Sequence, residues 1–147
     1  MKAIRIHEAG GPEVMRVEEL PTPQPGPGQA LVRIGATGVN FIDTYQRSGQ
    51  YRIPLPTVLG MEAAGTVEAV GEGVTNVAPG DRVAWAMTPG SYSTHAVVPA
   101  DRVVPVPAGV DDRHAAAAML QGMTAHYLAY STHPLQPGDT CLVHAAG

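Results

Sequence analysis

Residues 58–70 read VLGMEAAGTVEAV. The stretch is predominantly apolar, and glycine interrupts it at positions 60 and 65 and again at 71. This pattern reads as strongly bent strand, with glycine placed where a second backbone approaches closely or a bulge forms. The whole 147-residue chain agrees with that local reading. It carries 17 Gly and 14 Pro, about a fifth of all positions against roughly 12% in average proteins, which asks for many turns and few long helices.

Towards the N-terminus, residues 30–39 (ALVRIGATGV) form a further strand that runs into a loop. Asn40 stands where it can cap a short helix, Phe41–Arg47, stopped by Ser48 and Gly49. Residues 1–7 and 14–20 alternate in the manner of strands, with Gly10-Gly11-Pro12 as the turn between them. Proline at 21, 23, 25 and 27 makes the next segment a stiff surface connection, since proline donates no ladder hydrogen bond. Towards the C-terminus, Pro79-Gly80-Asp81 turns the chain into strands at 82–87, 92–99 and 102–106. Seven or eight short strands within about 106 residues argue for a small barrel or sandwich.

The composition changes at Asp111. DDRHAAAAMLQGMTAHYLAY carries four consecutive alanines and no proline, which predicts one helix, or two broken near Gln121-Gly122. PLQPGD at 134–139 ends it, and TCLVH at 140–144 reads as a short buried parallel strand.

A chain of this length supports one ordinary domain with its own core and is too short for two. The single cysteine, Cys141, excludes an internal disulfide and any Cys-rich zinc cluster. A formal charge of −4 on 22 scattered charged residues leaves no basic footprint for nucleic acid. No stretch approaches the ~20 apolar residues that span a bilayer, and the first six residues lack a signal-peptide core, so a cytoplasmic protein is expected. The six histidines show no i, i+4 pair, and His126 and His133 stand seven apart, two helical turns, too far to share one zinc ion. Cys141 has no activating neighbour and reads as a small buried side chain.

Two constellations remain. In GVNFIDTY (38–45) with GQY (49–51), an amide, Asn40, and two phenols, Tyr45 and Tyr51, gather where strand gives way to helix and loop. Neutral phenols are suited to holding a carbonyl oxygen that gains negative charge. Helix capping by Asn40 and edge packing by the tyrosines explain the same residues equally well. The second, QGMTA at 121–125, offers hydrogen-bonding side chains beside a flexible glycine, for a cofactor or simply for helix packing.

Read in order, MKAIRIHEAGGPEVMRVEELPTPQPGPGQALVRI, GVNFIDTYQRSGQY, PLPTVLGMEAAGTVEAVGEGV, GDRVAW, GSYSTHAVVPADRVVPVP, AAMLQGMTAHYL and PGDTCLVHAAG resemble the zinc-independent quinone oxidoreductase, or ζ-crystallin-like, branch of the medium-chain dehydrogenase/reductase superfamily. Where zinc-dependent relatives carry a cysteine and a His-Glu pair, this chain has Asn40 and Met61-Glu62, an amide and a thioether that serve zinc poorly. The four-cysteine structural zinc lobe is also missing between Trp85 and Gly90.

The resemblance implies a β-rich α+β fold: a GroES-like, partly open β-barrel with short helices over residues 1–134, including a helical connection, then at 135–147 the first strand of a truncated Rossmann α/β domain. Ala145-Ala146-Gly147 would lead into the glycine-rich phosphate turn. The resemblance further implies NADPH as cofactor, no metal, and a quinone or related conjugated carbonyl as substrate, in an enzyme often found as a homodimer. Asn40, Tyr45 and Tyr51 would line the nicotinamide and substrate, with Gln121, Met123 and Thr124 approaching the cofactor from the helical connection. An enone or alkenal double-bond reductase is the nearest alternative and a non-catalytic binding or structural module the other; the isolated 147 residues are expected to be inactive.

Overall fold

The computed structural model describes residues 1–144. Among them eight strands form two antiparallel sheets that make a partly open barrel without closing it. Strands β1 (Lys2–Ile6), β2 (Arg16–Glu19) and β4 (Thr57–Val58) form one sheet in the order β2-β1-β4. The larger sheet, ordered β7-β3-β5-β6-β8, contains β3 (Gln29–Thr37), β5 (Glu62–Val70), β6 (Arg82–Ala86), β7 (His95–Pro99) and β8 (Val104–Pro105). The segment just ahead of β7 joins the two sheets: Ile4 N–H donates to the Tyr92 carbonyl at 2.7 Å and Thr94 N–H to the Lys2 carbonyl at 2.8 Å.

The bend read from glycine is present. The β3–β5 register slips between Leu31 and Val32 and again between Ile34 and Ala36. Gly65 lies opposite Ile34, and a Cβ there would collide with the Arg33 carbonyl oxygen. Glycine therefore lets two central strands approach at the irregularity.

Alternation along β5 sends Ala63 and Val67 into the barrel core, around the fully buried Trp85, with Val32, Val83 and Val98. The other face sends Ala64 towards helix α2 (Asp112–His126), where it meets Ala84, Ala115 and Ala116. Alanine facing alanine brings the helix close to the sheet. Asp111 caps α2, accepting the His114 N–H at 2.9 Å.

Several boundaries differ from the sequence reading. Residues 12–14 form a 3-10 turn (Pro12–Val14), so β2 starts only at Arg16. Another 3-10 turn, Ala100–Arg102, shortens the strand expected at 102–106 to β8. The alanine-rich segment does not break at Gln121-Gly122: α2 runs through it and passes into a π-helical turn, Tyr127–Thr132. One mid-helix glycine costs only about 1 kcal/mol against alanine, and the helix formers around it absorb that. Residues 140–144, expected as a buried strand, form none and are exposed. A parallel strand needs hydrogen-bonding neighbours, and every strand pair among the described residues is antiparallel. Cys141, expected to be buried in that strand, is exposed with it. Ala145-Ala146-Gly147, expected to open the phosphate turn, lie outside the described residues.

Gly65→Val tests the close approach: the added side chain has to push β3 from β5, and the urea midpoint should fall by the equivalent of about 1–3 kcal/mol with the m-value unchanged.

Candidate active site

Helix α1 (Phe41–Arg47) begins at Asn40, as the local sequence predicts. The cap is nevertheless made in an unexpected way. Asn40 N–H donates to Asp43 Oδ2 at 2.8 Å, and Asp43 N–H to the Asn40 carbonyl at 3.1 Å. The Asn40 side chain is spent elsewhere: its Nδ2 donates to Glu62 Oε1 at 2.9 Å and its Oδ1 accepts from Gln121 Nε2 at 2.8 Å. Glu62 is fully buried, and its second oxygen accepts the Leu120 backbone N–H of α2 at 2.6 Å. Two residues placed in the site from sequence, Asn40 and Gln121, thus meet directly across 81 positions of chain.

Asp43 is buried as well. Its Oδ2 accepts the Tyr92 hydroxyl at 2.8 Å, while Oδ1 has no partner. Burial raises the Tyr92 phenol well above its ordinary range, and the hydrogen bond to Asp43 raises it further, with smaller contributions from the negative charges of Asp43 and Glu62. Tyr92 is therefore a fixed donor at every working pH.

Tyr45 and Tyr51 form a second pair, edge to face with ring centroids 5.4 Å apart, and Phe41 stacks on Tyr45 at 6.5 Å. Tyr51 N–H donates to the Tyr45 carbonyl at 2.9 Å, which holds the loop against the helix. Tyr51 is half-exposed, and among the described residues neither phenol hydroxyl hydrogen-bonds to the protein. Beside them in sequence, Gln46 and Ile53 line a cavity of about 140 Å³ together with Met61 and Pro89. The Gln46 amide points at the Met61 sulfur, 3.9 Å away.

Met123 and Thr124 are not drawn into either group. The Thr124 hydroxyl returns to the Leu120 carbonyl at 2.7 Å. At 100° per residue, Met123 projects about 160° away from Gln121 around α2, and it is half-exposed. Among the described residues no three His, Cys, Asp or Glu side chains gather as a metal site, and no helix is long and apolar enough to cross a membrane.

Glu62, Asp43 and Tyr92 hold the site together and were not singled out from sequence as site residues. A signal for Glu62 existed: it is a lone carboxylate inside LGMEAAG, with apolar or small residues on both sides. Tyr92 left no such trace, because its partner lies 49 positions away.

Fold and site together define a GroES-like barrel domain of the dehydrogenase/reductase type. Residues 26–108 match the alcohol dehydrogenase GroES-like domain family, and the chain belongs to that family. It is 48% identical to the quinone oxidoreductase of Pseudomonas aeruginosa over 147 residues, covering 99% of this chain and 45% of the relative. To the 2-haloacrylate reductase of a Burkholderia species it is 47% identical over 149 residues, covering 96% of this chain and 44% of the relative. The crystal structure of Escherichia coli quinone oxidoreductase complexed with NADPH superposes with a TM-score of 0.91 at 42% identity, over 93% of this chain and 43% of that one. The resemblance read from the motifs, to the quinone oxidoreductase branch of the medium-chain superfamily, is borne out. The chain spans less than half the length of these relatives.

Tyr92→Phe removes a donor from a buried carboxylate that already has one unpaired oxygen. It should cost about 1–3 kcal/mol in urea unfolding at neutral pH; a loss below about 0.5 kcal/mol would mean that the bond contributes nothing net.

Proposed function

We propose that this chain is the catalytic-domain portion of a zinc-independent, NADPH-dependent quinone reductase, divided near residues 134 and 135 between the barrel with its helical connection and the start of a nucleotide-binding domain. The observation that carries this reading is the similarity to named quinone oxidoreductases along nearly the whole chain. The donor chemistry supports working without zinc: Asn40 and Met61 offer an amide and a thioether, and the amide is already engaged by Glu62 and Gln121. Cytoplasmic location and assembly as a homodimer belong to the same reading.

The residues present fit one side of the cofactor and substrate. The two phenols hold hydrogen-bonding capacity that no group among the described residues uses, at the end of α1, and the small cavity walled by Met61, Ile53 and Pro89 is mostly apolar. NADPH, when bound, supplies the reducing equivalents. Asn40 and Gln121 would border the nicotinamide, with Met123 and Thr124 further along α2. Tyr45 and Tyr51 would hold the acceptor's carbonyl oxygen and donate hydrogen bonds that strengthen as it becomes negative. The apolar walls would exclude water and favour a flat, weakly polar acceptor. Either phenol or solvent would return the proton.

A second reading has its own support. The relative named 2-haloacrylate reductase matches this chain almost as well as the first quinone oxidoreductase does. Reduction of a conjugated double bond would use the same oxygen-holding phenols, with the electrons delivered to carbon, and the pocket walls would decide between the two.

In the full-length enzyme, Tyr45→Phe and Tyr51→Phe should each lower turnover of 1,4-benzoquinone with NADPH by roughly tenfold or more, while stability moves by less than about 0.5 kcal/mol, as for surface substitutions in general. Rates should be unaffected by chelator, and comparison with 2-alkenals decides the acceptor class. Unchanged turnover in both variants would return the tyrosines to packing, and a full-length protein that oxidises NADPH with neither acceptor would leave a binding module.

A further inference from the structure

We propose that Glu62 is a positioning residue that sets the direction of an amide relay running from the buried end of β5 to the surface of α2, and so decides which atoms Asn40 and Gln121 present to the cleft. The proposal rests on the reading of Asn40 as a cofactor-side residue given above.

Both hydrogen-bond partners of the Glu62 carboxyl among the described residues are N–H donors. Oε1 receives the Asn40 amide at 2.9 Å and Oε2 the Leu120 backbone N–H at 2.6 Å. Glu62 makes no ion pair among the described residues and is fully buried. The space for it is built deliberately tight: a Cβ on Gly38 would collide with Oε1, so glycine is required there. The Glu62 backbone is held too, its carbonyl accepting the Gly38 N–H at 3.2 Å and the Thr37 hydroxyl at 2.8 Å.

A carboxylate only accepts, whereas an amide side chain can turn either end towards a neighbour. With Glu62 on one side, Asn40 must turn Nδ2 inward and Oδ1 towards Gln121. Gln121 must then turn Nε2 to Asn40 and leave Oε1 on its far side, where the residue is exposed. Nδ2 keeps one N–H beyond the bond to Glu62. One acceptor-only group thus fixes two amides in sequence, and its other oxygen ties the same relay to the middle of α2. A carboxamide at position 62 would have to turn its own NH2 at either Asn40 or Leu120, so it must break one joint or reverse the relay.

Two experiments test this. The first needs no activity. In the isotope-labelled 147-residue chain, the Leu120 backbone amide and the Asn40 side-chain amide should both be slow to exchange with solvent, and Glu62→Gln should speed one or both at least tenfold while Trp85 and its neighbours keep their shifts. Fast exchange of both groups in the unsubstituted chain would overturn the proposal even if the variant failed to fold.

The second is a double-mutant cycle on kcat/KM with NADPH and 1,4-benzoquinone in the full-length enzyme. Asn40→Ala should cost about tenfold or more, and Glu62→Gln several-fold, expressed in kcat or in the KM for NADPH. The double variant should be within about twofold of Asn40→Ala alone, because Glu62 reaches the cofactor side through that amide. Multiplying costs would make Glu62 a merely structural residue and overturn the proposal. Full activity in Asn40→Ala would instead overturn the reading of Asn40 on which the functional part rests, leaving the exchange measurement to decide whether the relay exists.

Discussion

Strand β5 is packed on both faces, and most of the molecule answers to that constraint. Ala63 and Val67 fill the barrel around Trp85, while Glu62 and Ala64, at the start of the strand, lie under helix α2. A sheet flanked this closely by core and helix has little depth for side chains, which is why Ala64, Ala84, Ala115 and Ala116 form the seam. Glycine at position 65 answers a separate demand, the in-sheet approach of β3 at the register irregularity. Glu62 is the exception in this seam, a long polar side chain under the helix. It is held by N–H groups arriving from two separate elements rather than by a cation.

That arrangement gives the two halves of the site different characters. The inner half consists of the buried Glu62, Asn40 and Asp43 with the partly buried Tyr92, polar groups whose hydrogen bonds are almost all spent within the protein. Such networks are rigid when satisfied, and breaking one partner costs more than the bond itself contributes. The outer half, Tyr45 and Tyr51, is fixed by ring packing and by one backbone bond, and its hydroxyls remain free for a ligand. On the proposed reading, orientation comes from the first set and ligand contact from the second.

What could be read from sequence follows the range of the forces involved. The Asn40 cap and helix Phe41–Arg47 depend on neighbours within a turn, and they were legible. The bend of β5 was legible because glycine marks close approach whatever the partner. The grouping of Asn40 with Gln121 came from family resemblance and not from spacing, since 81 residues separate them. Glu62 and Tyr92 stay hidden for the same reason: the partner of each lies far along the chain. Two further readings meet the opposite limit. At Gly122 a local weakness leaves a break open as one of two alternatives, and helix-forming neighbours carry a single α2 through it. At 140–144 an apolar run was read as a strand, although β structure resides in the pairing and not in the run.

The polar chemistry of the site also bears on how a carbonyl would be activated there. A metal-assisted site turns its anionic and soft ligands outward to an ion; here the carboxyls of Asp43 and Glu62 face inward to N–H and O–H donors, and the Met61 sulfur faces the Gln46 amide. On the proposed reading, polarisation must then come from neutral donors. Two phenols supply far less than a divalent cation, which suits acceptors whose reduction product spreads its charge over a conjugated system. A simple ketone, which concentrates that charge on one oxygen, would gain too little from the same groups. On the proposed reading, the engagement of Asn40 by Glu62, at the place where zinc-dependent relatives carry a cysteine, and a conjugated acceptor belong together: the first leaves activation to neutral donors, and the second needs no more.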